Sequence, residues 1–183
     1  MGLKTNTFCP ITLFLTKEFL DKYSNLENSQ IVQKEFRPHI LMKASIESKE
    51  VTFAIPLRSN ITHKNAYIIN RRNGIDYSKA VVIDPKADIR LEIPIIRNQE
   101  HKEIQKNRYK IEYGFKKFLN RYREEITLHP EKPENRTTAK FSTLQYFHKE
   151  LCINHNLTEK SEKKKVIIEF EISKSTKGNE LIR

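Results

Sequence analysis

Residues 36–64, FRPHILMKASIESKEVTFAIPLRSNITHK, hold two short apolar segments, Ile40–Ile46 and Val51–Leu57, joined by the polar connection Glu47–Glu50. Val51, Phe53 and Ile55 alternate with Thr52, Ala54 and Pro56, the period of a strand with one face against a core. The pattern predicts a β-hairpin. Its second strand runs into a loop of Arg58, Ser59, Asn60, Thr62, His63 and Lys64, which gathers cations and hydroxyls at the rim of a sheet. The plain reading of that loop is a solvated connection; the functional one is a rigid arm presenting reactive groups.

Working outward toward the N-terminus, Phe8–Leu15 reads as a strand, and Thr16 as the cap of a short helix, Lys17–Tyr23, with Phe19, Leu20 and Tyr23 on one side. Ser24–Lys34 reads as a loop. Toward the C-terminus, Ala66–Ile69 is a short apolar segment closed by the basic turn Arg71-Arg72-Asn73-Gly74, in which Asn-Gly supplies a positive φ. Ala80–Ile83 predicts a buried strand ended by Asp84-Pro85, and Ile89–Ile96 an edge segment broken by Pro94. From Asn98 the period becomes helical. Ile104, Ile111, Phe115, Phe118, Leu119, Tyr122 and Ile126 form a core stripe on one long helix, with Lys and Arg on its other side. His129–Lys140 reads as a loop, Phe141, Leu144, Phe147 and Leu151 as a second, shorter helix, and Val166–Ile172 as a last strand before a mobile tail over 174–183. Strands first and helices later predict a single α+β domain over 1–183, a strongly bent antiparallel sheet with helices packed on it.

The composition narrows the partners. Among 183 residues, 37% are hydrophobic and 31% charged, and the formal net charge is +11. That excess points to a polyanion and to binding that weakens with salt. Cys9 and Cys152 are too few and too far apart for a disulfide framework or a zinc site, which suggests a reducing compartment. Phe8–Leu15 contains Pro10 and runs straight into charged residues, so it reads as a strand and not a signal peptide. With no stretch approaching the roughly 20 apolar residues of a membrane span, the expectation is a soluble, cytoplasmic protein.

Most catalytic signatures are missing. The sequence has no GxGxxG, P-loop, HExxH or GxSxG, and its six histidines are scattered without metal-ligand spacing. A set of cations and hydroxyls that uses no metal and no cofactor remains, and it suits RNA cleavage. The ribose 2′-OH is itself the nucleophile, so the protein needs a base for its proton, donors for the phosphorane charge and an acid for the 5′-oxygen.

Arg37-Pro38-His39-Ile40, the hairpin, Ile55-Pro56-Leu57-Arg58-Ser59 and His63-Lys64 together resemble the toxins of type III toxin–antitoxin systems, the ToxN/AbiQ/TenpN superfamily. The likeness spans roughly 7–150 and takes in the Ala80–Ile83 strand, the Tyr-rich helix and the Phe141-Ser142-Thr143-Leu144 helix start; Asp76-Tyr77-Ser78-Lys79 is closest to the TenpN branch. It implies a barrel-like core similar to the MazF/Kid toxins. The implied activity is a sequence-preferring, metal-independent endoribonuclease that leaves a 2′,3′-cyclic phosphate and serves bacterial phage defence. Its implied partners are mRNA and an inhibitory RNA antitoxin of pseudoknot repeats, in a higher-order protein–RNA complex. Ser59 matches the family's active-site serine, Arg58 stands where ToxN has threonine, and Arg37 where it has a lysine. The family's lysine two places after the serine is Ile61 here, and its upstream tyrosine has no match in Gln30–Lys34.

The candidate catalytic residues are therefore Ser59, His63, Arg37, Arg58, Lys64 and Lys79. His63 suits acid and base work near neutrality, and the arginine forks suit phosphate. Lys43, Asn60, Thr62, Arg71, Arg72, Tyr109 and Tyr113 are the candidate RNA contacts. Lys43 faces either a groove or solvent. For the two tyrosines burial is the expectation and base stacking the alternative. Asp76 is read as a turn residue, or one that holds Lys79. The rival reading of the whole chain is a non-catalytic RNA- or DNA-binding accessory protein.

Overall fold

The computed structural model describes residues 12–24, 26, 29–31, 33–128, 138 and 140–153. The predicted last strand, the C-terminal tail, Cys9, the first half of the first predicted strand and nearly all of the His129–Lys140 loop lie outside these residues.

In chain order the elements are β1 (Thr12–Leu13), α1 (Lys17–Ser24), β2 (His39–Ile46), β3 (Lys49–Arg58), β4 (Ala66–Asn70), β5 (Asn73–Asp76), β6 (Val81–Val82), α2 (Asn98–Lys106) and α3 (Arg108–Leu128). Short 3₁₀ turns occupy Tyr77–Lys79 and Thr143–Phe147. The class is α+β, as predicted, with every pairing in the sheet antiparallel.

The hairpin is the spine. β2 and β3 pair from His39↔Pro56 to Ile46↔Lys49 across the turn Glu47-Ser48. Both turn residues have positive φ, 48° and 65°, the backbone that a two-residue hairpin turn requires. Ile40, Met42, Val51, Phe53 and Ile55 are all buried. On this side Phe53 meets Phe115 of α3 with ring centroids 5.1 Å apart. The other face is buried near the open end, at His39, Leu41, Ala54 and Pro56, and exposed toward the turn, at Lys43 and Ser45.

The strand order is β1-β2-β3-β5-β4, with β6 also on β3. Among the described residues β1 and β4 do not pair, so the sheet stays open and the predicted barrel-like closure is not found. β4 packs against α2 and α3 instead, with Arg121 Nη2 of α3 2.5 Å from Asn65 Oδ1 just ahead of the strand. Helices, not β1, therefore lie against that end of the sheet.

Residues 73–82 run along one edge of β3 with an interruption. Gly74 and Ile75 pair with Arg58 and Leu57, then Val81 and Val82 with Ala54 and Phe53. Between them the chain leaves the ladder as the 3₁₀ turn. Pro56 is the physical reason. The Leu57 N–H donates to Pro38 O on the β2 side at 2.9 Å, and N–H directions alternate along a strand, so position 56 faces β5–β6 and has no proton to offer.

Four further differences from the sequence reading have local causes. The β4–β5 turn is Arg71-Arg72, with Arg71 at φ 50°, while Asn73 and Gly74 belong to β5. Gly74 is needed for close approach, since a Cβ there would lie 2.0 Å from Tyr67 O. The long helix is broken at Asn107, whose Nδ2 donates to Glu103 O at 3.1 Å and Glu103 Oε1 at 2.6 Å, competing with the helical backbone. All seven residues of the predicted stripe are nonetheless buried. In place of the second helix, the Phe141–Leu151 segment holds the 3₁₀ turn Thr143–Phe147 capped by Ser142, with Thr143 Oγ1 bonded to Ala80 O. Leu144, Phe147 and Leu151 are buried but Phe141 is not. Finally, among the described residues Ile89–Ile96 contributes only the bridge Ile89↔Leu15, and Leu91, Ile93 and Ile95 are exposed.

Candidate active site

The open end of the hairpin borders a cleft of about 630 Å³, whose walls include Arg37, Arg58, Ser59, Lys34, Gly74 and Arg97. Arg37 is fixed by two bonds, one to the loop before β2 and one to the end of β3. Its N–H donates to Lys34 O at 3.0 Å, and its Nη1 to Leu57 O at 2.8 Å. Its Nε is buried with no hydrogen-bond partner among the described residues. Burial first, and then the nearby Arg58 charge, lower its pKa, with Asp76 opposing them. Two guanidinium groups therefore crowd one cleft, an arrangement that a bound anion relieves.

Behind Arg58 sits Asp76, fully buried where the chain leaves the β3 ladder. Its Oδ2 pairs with Arg58 Nη1 and lies 3.4 Å from His63 Nε2. Its Oδ1 accepts from Ser78 Oγ at 2.6 Å and Ser78 N at 3.0 Å. The carboxylate thus orients Arg58, His63 and the 3₁₀ turn together. The sequence reading made it a turn residue or a holder of Lys79, and the turn bonds to Ser78 fit the first. Lys79 Nζ, however, donates to Gln30 Oε1 and Phe141 O, each at 2.8 Å. It braces the turn against the C-terminal segment. Burial lowers its pKa, as the first cause, against the Asp76 charge.

The loop 59–65 is anchored by buried Ile61, whose N–H donates to Arg72 O at 2.9 Å. This gives a structural reason for isoleucine at that position. Asn60 takes a left-handed backbone, φ 59°, which asparagine tolerates. With these two fixed, Ser59, Asn60, Thr62, His63 and Lys64 stand exposed around the anchor. No hydrogen bond to another described residue holds the Ser59 hydroxyl. Arg71 and Arg72 are exposed beside Asn73 and Gly74 of the cleft wall.

Three candidates lie elsewhere. Lys43 pairs with Glu50 at 2.7 Å near the hairpin turn, roughly 17 Å along the strand from the cleft at about 3.3 Å per residue. Tyr109 and Tyr113 are exposed, against the expectation of burial, and stack on each other at 6.5 Å on the outer face of α3. Sequence reasoning missed Phe36, an exposed ring on the cleft wall. It precedes Arg37 directly, and an aromatic beside an arginine is the signal that was there to read.

Among the described residues no three His, Cys, Asp or Glu side chains group as a metal site requires, and no helix is long and apolar enough to cross a membrane. No protein-family model, curated protein or solved structure matches this chain.

Proposed function

We propose that this chain is an endoribonuclease toxin that cleaves RNA by attack of the ribose 2′-OH, leaving a 2′,3′-cyclic phosphate and using no metal. The single observation that supports it best is the convergence of Arg37, Arg58 and Ser59 on one cleft, with His63 and Arg58 sharing the Asp76 carboxylate. The scissile phosphate sits between the two guanidinium groups, with the Ser59 hydroxyl as a further donor. Because Nε2 of His63 faces Asp76, Nδ1 is the nitrogen that takes the 2′-OH proton. Lys64, exposed on the same loop, donates to the departing 5′-oxygen; the Lys79 ammonium is already engaged by two acceptors. The resemblance to the ToxN/AbiQ/TenpN toxins extends the proposal to a bacterial phage-defence role under control of a repeated pseudoknot RNA.

The test is incubation of purified protein with mRNA in EDTA. Cleavage is expected, and Ser59→Ala is expected to abolish it with the fold intact. Intact RNA, or cutting that needs a divalent ion, counts against the proposal. A second reading, a non-catalytic nucleic-acid binder, draws on the exposed Tyr109–Tyr113 pair, which lies off the cleft. Expression separates the two, because a passive binder leaves growth nearly unchanged and a ribonuclease arrests it.

A further inference from the structure

Phe36 is 67% exposed, yet it is held in place. The Phe14 ring meets it edge-on with centroids 5.9 Å apart, and the Arg90 guanidinium lies 5.0 Å from its centroid. Arg90 is itself fastened to Glu35 at 2.7 Å and to Glu92 at 3.0 Å, and its N–H donates to Phe14 O at 3.0 Å. A large apolar ring fixed from behind and left in solvent is a preorganised contact surface. It lines the same cleft as Arg37 and Arg58, and Ile95, 98% exposed, stands on that cleft's wall too.

We propose that Phe36 is a stacking platform for one nucleobase of a single-stranded nucleic acid whose adjoining phosphate meets Arg37. The proposal rests on the cleft being where the strand binds, and it adds how a base is seated there. A base bound to phosphate cations alone swings freely on its sugar. An aromatic face beside the neighbouring arginine fixes it without reading its edges, so the seat favours unpaired strands and tolerates sequence. Charge complementarity commits the cleft to this occupant. Lys34, Arg37, Arg58 and Arg97 line it against Glu35 and Glu100, and Glu35 is already engaged by Arg90.

The experiment measures binding, not cleavage, so that it stands apart from the catalytic proposal. A fluorescent single-stranded 2′-deoxy oligonucleotide of mixed sequence, which the 2′-OH route cannot cut, is titrated with full-length protein. Phe36→Ala is expected to weaken binding about tenfold, the scale of one lost base stack, and Phe36→Tyr to restore it. The salt slope of Phe36→Ala is expected to match wild type, whereas Arg37→Ala lowers it by about one phosphate contact. A strand of abasic residues is expected to bind wild type and Phe36→Ala alike. If Phe36→Ala does not fold by circular dichroism, Phe36→Leu keeps the apolar packing and removes the π-face, and the same loss is expected.

Equal affinity of wild type and Phe36→Ala overturns the proposal, as does absence of binding by wild type. So does conversion of a dimer into a monomer at unchanged strand affinity, which assigns the ring to self-association. Tight, Phe36-dependent binding by a protein that leaves RNA uncut supports the seat and removes the ribonuclease instead.

Discussion

The two ends of the β2–β3 hairpin carry charge in opposite ways. At the turn, Lys43 and Glu50 pair at 2.7 Å with side chains 45% and 64% exposed, and Glu47 pairs with Arg123 from α3 at 3.1 Å. The first is an exposed pair of one cation with one anion. In the second Arg123 is buried and also donates to Leu151 O at 3.0 Å, while Glu47 stands at the surface, so each cation is matched by acceptors. At the open end a single buried carboxylate, Asp76, faces Arg58 and His63, and Arg37 stands close enough for Arg58 to lower its pKa. Positive charge is in surplus there and is directed at a cleft. The contrast shows that net charge alone does not locate a site. A cation whose neighbours leave it short of anions is the better guide.

Substituting the cations separates the two ends of the hairpin by the widest margin. Arg58→Ala leaves Asp76 buried without its strongest partner, so it is expected to cost about 3 kcal/mol of stability and about 10³-fold or more in RNA cleavage. Lys43→Ala, the control at the turn, is expected to cost under about 0.5 kcal/mol and to leave cleavage alone. Denaturant melts and a gel assay on both variants check this; equal costs at the two ends erase the distinction.

His63→Ala is the next largest. Loss of the proposed proton acceptor is expected to slow cleavage about 10²–10³-fold with little change in the melting curve, because the ring stands at the surface. Wild-type rates in this variant would move the base to another residue.

Acid should act on the open end as well. Burial lowers His39 from its ordinary 6.5 to about 4, more than its bond to Arg37 O raises it. Below pH 6.5 the unfolded chain takes up a proton that the folded ring refuses, so stability falls as pH drops from 6.5 toward 4. At 1.36 kcal/mol per unit the loss amounts to about 3 kcal/mol. His39→Gln is expected to flatten that stretch of the stability–pH curve, and an unchanged slope in the variant would assign the acid sensitivity elsewhere.

The smallest effect belongs to the turn. Ser48 has φ 65°, a backbone that glycine adopts without strain, so Ser48→Gly is expected to stabilise by about 0.5–1 kcal/mol. Cleavage should not change, which a shift in melting temperature at constant activity verifies.

Much of this contrast was legible in the chain. The hairpin, the capped helix α1 and the stripe from Ile104 to Ile126 follow from periodicity, because burial on one face is a local pattern. The convergence of Arg37, Arg58 and Ser59 follows from hairpin register, which returns residue 58 to the level of residue 37. The role of Asp76 did not follow. It depends on Pro56 leaving a gap in the ladder across a pairing of residues far apart in sequence, and periodicity does not report such gaps. The break at Asn107 was equally hidden, since its cause is one side chain bonding back to Glu103. Sheet closure was misjudged because packing of α2 and α3 on β4 is a tertiary choice that the strands do not encode.

The 2′-OH route is tested most plainly with one RNA, incubated with the protein in EDTA, and its twin with a single 2′-deoxy sugar at the expected cut position. Cleavage of the first to a 2′,3′-cyclic phosphate end, with the twin left whole at that position, is the predicted result. A twin cut as fast as its parent, or a product ending in a plain 3′-hydroxyl, contradicts the account.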